Sequence, residues 1–373
     1  MAATPASKPA DTRTLVERVA DDVGGAFTVG LAYIGQRLGL FEALAAHGPT
    51  TSAALAASAG SLAGAGSRGL NERYVREWLN GMVAARYAEH DPATATYWLT
   101  DEQRSVLVDE RARTFGAGAF GMVVPSLALA PRLIDAFRDG GGIPFAELPP
   151  EIPEALDRMH RPWFDHMLVQ EWLPAAPGLV AALHHGIAVL DVGCGRGRST
   201  LAMARAFPQS TMLGIDPHQP SVEAAHDAAR EAGLGNARFA TCAIEALAAG
   251  QGPGDAPPGP FDLIVAIDCV HDMVDPVGGL RAMGELLSPG GAVFWSEPTG
   301  SRNPLENRNP SGKLRANLSP FHCLTVSLAA GGAGLGTIIG EDGARELATA
   351  ARFGSFTRLP HENPTQQFFL LRR

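Results

Sequence analysis

The first regular pattern of apolar positions follows Thr12. Leu15, Val19, Val23, Phe27, Leu31 and Ile34 stand three or four residues apart, which predicts one long amphipathic helix. Two short helices follow, over 40–44 and 51–55, parted by Gly48-Pro49, with Thr51 placed to cap the second. A Gly/Ser/Ala-rich loop fills 58–69. Asn71 then opens a helix over 72–86 that sets Val75, Trp78, Leu79 and Met82 on one face. Tyr87-Ala88-Glu89 and Tyr97-Trp98-Leu99 flank a turn containing Pro92 and predict a β-hairpin. Three helices and a hairpin spell a winged helix. Residues 112–185 continue as helices broken at 140–142 and 149–153. Within them, Met159, Trp163, Phe164, Met167, Leu168 and Trp172 recur at near-helical spacing, which suits either a core stripe or, in Trp163, Phe164 and Met167, the wall of a substrate site.

Past residue 186 the pattern changes. Strands predicted at 188–190, 211–215, 238–241, 261–268 and 292–295 alternate with helical stretches, and the apolar runs at 188–190 and 261–268 are those expected of parallel strands buried on both faces of a sheet. Two further strands, near 355–359 and 366–371, close the chain. The expected class is therefore α/β with a helical N-terminal module, divided as 1–110, 111–185 and 186–373.

Composition narrows the partners. The sequence has 30 basic and 39 acidic residues, a net charge of −9. A winged helix most often binds DNA, but that use needs a basic face, and acids outnumber bases over residues 1–110. A nucleic-acid partner is accordingly not expected. The four cysteines (Cys194, Cys242, Cys269 and Cys323) show no metal-ligand spacing, and His160 and His166, six apart, do not share a helix face as a metal pair would, so no metal centre is expected. Free buried thiols, an N-terminus without a secretory pattern and the lack of an apolar run long enough to span a membrane point to a cytoplasmic protein.

The chemistry concentrates in Ala188 to Thr200, AVLDVGCGRGRST. A buried strand ends at Asp191, and Gly193, Gly195 and Gly197 follow at alternate positions before a helix begins. Such a strand–turn–helix unit seats a ligand at a helix N-terminus. A dinucleotide fingerprint would need a third glycine at 198, where Arg198 stands, and no P-loop pattern is present. Asp216, at the end of the second strand and 19 residues beyond Gly197, is placed to accept hydrogen bonds from a ribose.

The spacing D-x-G-x-G-x-G resembles the nucleoside-binding loop of class I S-adenosylmethionine-dependent methyltransferases. "L-x-P-G-G" at Leu287 to Gly291, Cys269-Val270-His271-Asp272 after the fourth strand, and Glu306-Asn307-Arg308-Asn309-Pro310 further on are similar to motifs of that family. Arg37 to Leu44 is similar to the opening of the N-terminal winged-helix module in small-molecule O-methyltransferases. The resemblance covers 188–373 well and 12–110 loosely. It implies a seven-stranded Rossmann-like sheet ending in an antiparallel pair, with a winged helix that serves dimerisation and covers the substrate. It implies S-adenosylmethionine as cofactor, held by Asp191, Gly193, Gly195, Gly197, Asp216, Ala243, Ile244 and Asp268. Ala243 departs from the family, where an aspartate often meets the adenine amino group, so adenine would depend on backbone and on apolar contact from Ile244.

Plant-type members carry a histidine base where His271 stands, and Glu297, ending the fifth strand, is placed to orient it. The family's third acidic partner has no counterpart, Ile338 falling near its place. The expected activity is methyl transfer to a hydroxyl of a small-molecule acceptor. Sulfur or nitrogen acceptors, which need no strong base, and a ligand-sensing transcriptional regulator remain the alternatives. The long apolar face of 15–34 suggests that a partner chain covers it and that the protein is a homodimer.

Overall fold

The first periodic stretch forms α1 (Leu15–Arg37), entered through a capping box in which Thr14 and Glu17 satisfy each other's backbone amides. In a computed structural model, residues 13–62, 69–253 and 259–373 are described. The first twelve residues, 63–68 of the Gly/Ser/Ala loop and 254–258 of the 250–260 loop lie outside the described residues. Helices α2 (Leu40–His47), α3 (Ser52–Leu62) and α4 (Glu72–Ala84) follow, then strands β1 (Glu89–Asp91) and β2 (Thr96–Trp98), antiparallel as a short wing. Helix α5 (Asp101–Leu107) opens on a second capping box, Thr100 with Gln103.

These elements close over one core. Val75, Trp78, Leu79 and Met82 are buried as the periodicity of α4 requires, and Phe41 meets Trp78 edge-on with ring centroids 4.9 Å apart. The Trp78 indole donates to the Leu31 carbonyl over 3.0 Å, and Gly35 leaves the space the ring fills. Only the C-terminal third of α1 is engaged in this way. Leu15, Val19, Val23 and Phe27 are more than half exposed, Phe27 at 77%. On the surface of α4, Arg73 pairs with Glu77 and Arg76 with Glu72.

The chain divides into two compact units, one of residues up to Asp109 with Phe115–Val124, the other of Glu110–Thr114 with Pro125–Arg373. Helix α6 (Phe120–Leu127) lies across this division. The second unit continues with α7 (Ala130–Asp139), α8 (Glu151–His166) and α9 (Leu179–His185). After α8 a π-helical turn, Leu168–Trp172, buries Leu168 and Trp172.

The sheet follows: β3 (Ala188–Val192), α10 (Arg198–Ala206), β4 (Thr211–Asp216), α11 (Gln219–Ala232), β5 (Ala237–Thr241), α12 (Ile244–Ala248), β6 (Phe261–Ile267), α13 (Pro276–Leu286) and β7 (Leu287–Pro298). Helices α14 (Pro310–Leu318), α15 (Cys323–Ala329) and α16 (Gly340–Ala350) then lead to β8 (Ser355–Arg358) and β9 (Gln366–Arg372). Seven strands stand in the order β5-β4-β3-β6-β7-β9-β8. Strands β3 to β7 are parallel, and β9 runs antiparallel between β7 and β8. The expected fold class and strand positions are met. Strand β7 is longer than the apolar run 292–295, because its ladder to β6 shifts register between Phe261 and Leu263 and takes the Pro-Gly-Gly turn into the strand. Strand order reverses between β3 and β6, and there the C-terminal ends of parallel strands open a crevice.

Candidate active site at the switch point

On the β3 side the crevice is built from backbone. All three loop glycines have positive φ: Gly193 at 68°, Gly195 at 53° and Gly197 at 82°. Their surroundings differ. A Cβ on Gly193 would lie 2.7 Å from Cys269, and one on Gly197 would lie 2.8 Å from Ala225 and Phe239. Those two glycines let elements pack closely. A Cβ on Gly195 would meet nothing within 4 Å. Gly195 faces open space.

Two carboxylates brace the loop. Asp191 is buried, and its Oδ2 accepts from Ser199 Oγ (2.5 Å) and Thr200 Oγ1 (2.6 Å), which ties the strand end to α10. Burial pushes its carboxyl up to about 6, against the lowering effect of those two hydroxyls. Asp216 accepts from the Gly195 amide (3.0 Å) through Oδ2 and from the His218 amide (2.8 Å) through Oδ1, and burial raises it too. Ala243 is the exposed N-cap of α12. Ile244 is 3% exposed and belongs to the main core, so at this strand end the edge presents backbone and a methyl group.

On the β6 side the crevice is built from buried ionisable groups. His271, in a 3-10 turn just after β6, is 2% exposed, and Glu297 on β7 is fully buried. Their Nδ1 and Oε2 atoms are 2.5 Å apart, and the Trp295 indole donates to the other oxygen of Glu297 over 2.8 Å. Burial opposes a charge on His271, but Asp272 and Glu297 outweigh it and hold the imidazole well above its usual range. Sequence placed His271 and Glu297 together, and the structure joins them.

Of the neighbours of Nε2, Asp272 stands in the Cys269-Val270-His271-Asp272 motif, whereas Cys323 had no sequence signal. Cys323, from α15, sets its thiol 3.3 Å from Nε2 and receives a hydrogen bond from Thr337 Oγ1 over 3.1 Å. Asp272 Oδ1 lies 3.4 Å from Nε2 on another side. Of the four cysteines, all unpaired, Cys194 and Cys323 are buried as expected, whereas Cys242 and Cys269 are half-buried. Thr337 adjoins Ile338, which stands near the place of the family's acidic partner.

Asp268 links the two sides. It follows β6 with φ at 58°, unusual for a residue with a side chain, and its buried Oδ1 has no hydrogen-bond partner among the described residues. Its Oδ2 is 3.8 Å from Nε2 of His160, which burial holds below the usual imidazole range. His160 brings α8 to the crevice. Its ring stacks on Trp163 at 4.3 Å, and three residues earlier on the helix Asp157 takes a bidentate pair from Arg198 at the start of α10. His166 goes elsewhere, to the Arg111 carbonyl, so the two histidines serve different partners. Of the expected substrate wall, Trp163 is tied to the crevice through His160. All three of Trp163, Phe164 and Met167 also pack against the core around Trp172 and Phe368. Phe145, which had no sequence signal, stands edge-on to both His218 and His322.

Residues 183–330 match the methyltransferase-domain family, and residues 25–109 match the Rv2258c-like winged HTH domain. Over 141 residues the chain is 39% identical to the ubiquinone biosynthesis O-methyltransferase of Leptothrix cholodnii, an overlap of 38% of this chain and 53% of that protein. The chain spans about half the length of the curated relatives it matches. Two solved structures are similar over nearly their whole length. The mitomycin 7-O-methyltransferase MmcR has a TM-score of 0.68 at 18% identity, covering 96% of this chain and 98% of its own. Human N-acetylserotonin methyltransferase, solved in complex with SAM, has a TM-score of 0.70 at 16% identity, covering 98% and 99%. These likenesses show the fold, and the two domain matches bear out the resemblance drawn from the glycine loop and from Arg37 to Leu44.

Proposed function

The chain joins a methyltransferase domain to an Rv2258c-like winged HTH domain, and from that premise we propose that it transfers a methyl group from S-adenosylmethionine to a hydroxyl of a small molecule. The observation that carries this reading is the His271–Glu297 pair, buried at the same switch point as a glycine loop with open space at Gly195. The loop backbone at 193–197, Asp216, the backbone at Ala243 and Ile244, and the spare acceptor of Asp268 would hold the cofactor, with Asp191 keeping the loop in shape. Asp216 already aims its carboxylate at Gly195, where a ribose can share it. Bound S-adenosylmethionine supplies an electrophilic methyl on a sulfonium.

The chain supplies position and a base. Holding an acceptor oxygen in line accounts for roughly 7–11 kcal/mol of barrier in well-oriented systems. His271 takes the hydroxyl proton at Nε2, while Glu297 keeps Nδ1 protonated and stabilises the imidazolium that forms. Trp295 fixes Glu297 in turn. Trp163 and Phe164 on α8 and Phe145 before it supply aromatic surface for an apolar acceptor, and residues 111–185 serve as its cover.

The winged helix has an architectural use in this reading. The arginines of α4 are engaged by glutamates on its own surface, which leaves no basic stripe there for DNA. The exposed row Leu15, Val19, Val23 and Phe27 is covered by a second copy, giving a homodimer. Unpaired cysteines suit a reducing compartment, and we place the protein in the cytoplasm. Among the described residues, no single helix is long and apolar enough to cross a membrane.

Calorimetry with S-adenosylhomocysteine, followed by a methyl-donor screen over phenols, thiols and amines, tests this reading. Binding together with turnover on phenols is the expected result. Turnover on thiols or amines alone would replace the hydroxyl assignment, and no binding would sink the cofactor assignment. A monomer mass in light scattering at tens of micromolar would overturn the dimer.

A further inference from the structure

We propose that His271, Cys323 and Asp272 form a binding site for a soft divalent cation, Zn2+, which blocks methyl transfer by taking the nitrogen that the reaction needs as a base. The blocking effect rests on the role proposed for His271, whereas the binding site does not.

The geometry comes first. A tetrahedral zinc site has Zn–N near 2.0–2.1 Å and Zn–S near 2.3 Å, so its ligand–ligand edges come out at about 3.4–3.6 Å. Nε2 of His271 lies 3.3 Å from Cys323 Sγ and 3.4 Å from Asp272 Oδ1. The three atoms fall within 4.8 Å of one another, the disposition of three corners around one ion. A nitrogen, a sulfur and a carboxylate oxygen are the donor set zinc prefers, and three protein ligands leave the fourth position open.

The surroundings of the three ligands point the same way. A zinc-bound histidine almost always donates its other ring nitrogen to a carboxylate that fixes the ring, and Nδ1 here is 2.5 Å from Glu297 Oε2. Glu297 is itself held by the Trp295 indole. Thr337 donates to Cys323 Sγ, a bond that strengthens when the sulfur is a thiolate. Asp272 Oδ1 is buried and has no hydrogen-bond partner among the described residues. A carboxylate oxygen that makes no hydrogen bond, beside a thiol and an imidazole, can take a metal cation in place of the ring's own charge. A second grouping, Asp268, His271 and Glu297, is also compact, but it would require the Nδ1 atom already bound to Glu297.

Binding balances simply. The Cys323 S–H bond breaks and its proton leaves to solvent, with any proton on Nε2. Zinc then bonds to sulfur, to Nε2 and to Asp272 Oδ1. Nδ1 keeps its proton toward Glu297, and no electrons change hands. With its lone pair on the metal, Nε2 cannot accept a proton from a hydroxyl.

The test uses the full-length protein stripped with a chelator, and Zn2+ and Co2+ salts as probes. One Zn2+ per chain is expected by competition with a chromogenic chelator, and Co2+ is expected to give a thiolate-to-metal charge-transfer band in the near ultraviolet. Cys323→Ser should abolish that band and weaken Zn2+ binding by at least about tenfold, no less than loss of an outer-shell partner of a metal ligand. Asp272→Asn, at a side chain one-third exposed, should keep the band while weakening Zn2+ binding. Methyl transfer should fall as Zn2+ saturates the site and return on adding chelator. The site is overturned if no Co2+ band forms, or if neither variant alters Zn2+ affinity. If Cys323→Ser does not fold, the wild-type band and the Asp272→Asn affinity decide. If the band forms but saturating Zn2+ leaves turnover unchanged, the blocking role fails and the base assignment of His271 fails with it. S-adenosylhomocysteine binding separately reports on the cofactor assignment.

Discussion

At the ends of β3, β4 and β5 the crevice presents backbone, small residues and two carboxylates whose oxygens already accept from loop amides and hydroxyls. At the ends of β6 and β7 it presents buried ionisable side chains in contact with one another: His271, Glu297, Asp272 and Cys323. The first side is a preformed cradle whose cost lies in glycine conformations. The second is a charged cluster whose members set one another's protonation. A cradle of the first kind suits binding that need not change during reaction. A cluster of the second kind suits a proton that must move. Substitutions on one side should therefore act on affinity, and on the other on turnover.

The largest effect is expected at Gly195. Gly195→Val places a branched side chain in the open space and at a positive φ, and should abolish S-adenosylhomocysteine binding in calorimetry. Gly197→Val, whose side chain would strike Ala225 and Phe239, should instead show chiefly as a lowered melting temperature. Equal losses of stability with equal retention of binding would erase the distinction between these glycines.

Next comes His271→Ala, expected to lower kcat on a hydroxyl acceptor by about 100-fold or more while leaving S-adenosylhomocysteine affinity nearly unchanged. The neutral imidazole is the active form. Since Asp272 and Glu297 outweigh burial and raise its pKa, the wild-type rate should fall as pH drops through a value above the ordinary 6.5. Glu297→Gln should move that fall to lower pH. An unmoved pH profile would remove Glu297 from any part in tuning His271.

Asp216→Ala should act on affinity alone, weakening cofactor binding by about 1.5–3 kcal/mol, the range for hydrogen bonds to a charged group. A kcat change at saturating cofactor would show that the two sides are not separable.

The smallest effect concerns the stability of the cradle. Asp191 has its folded pKa raised to about 6 from 3.8 by burial. The folded state then holds more protons than the unfolded state between those values, so stability should decline as pH rises from about 4 through about 6 and level off above. Asp191→Asn should flatten that part of the stability curve in denaturant titrations. A slope of the same size in the variant would assign it to other groups.

Sequence alone determined the sheet, its glycine turn and its acids. Buried parallel strands read as unbroken apolar runs, and a strand–glycine–helix turn is specified within thirteen neighbouring residues, Ala188 to Thr200. Asp216 was legible because a strand end fixes where its last side chain points. His271 and Glu297 were legible as a pair because parallel neighbours end at one edge. Tertiary structure alone decided the rest. Nothing in the chain near Cys323 marks it as the neighbour of His271 Nε2, because that contact joins positions 52 residues apart through the packing of α15 under the loop at Thr337. His160 looked like half of a failed metal pair until the docking of α8 on α10 carried it to Asp268. Ile244 shows the reverse case: an apolar residue at the right strand end, whose direction only the core could settle. Periodicity and turn chemistry are local and repeat in sequence, whereas a side chain's neighbour across a packed interface depends on how whole elements meet.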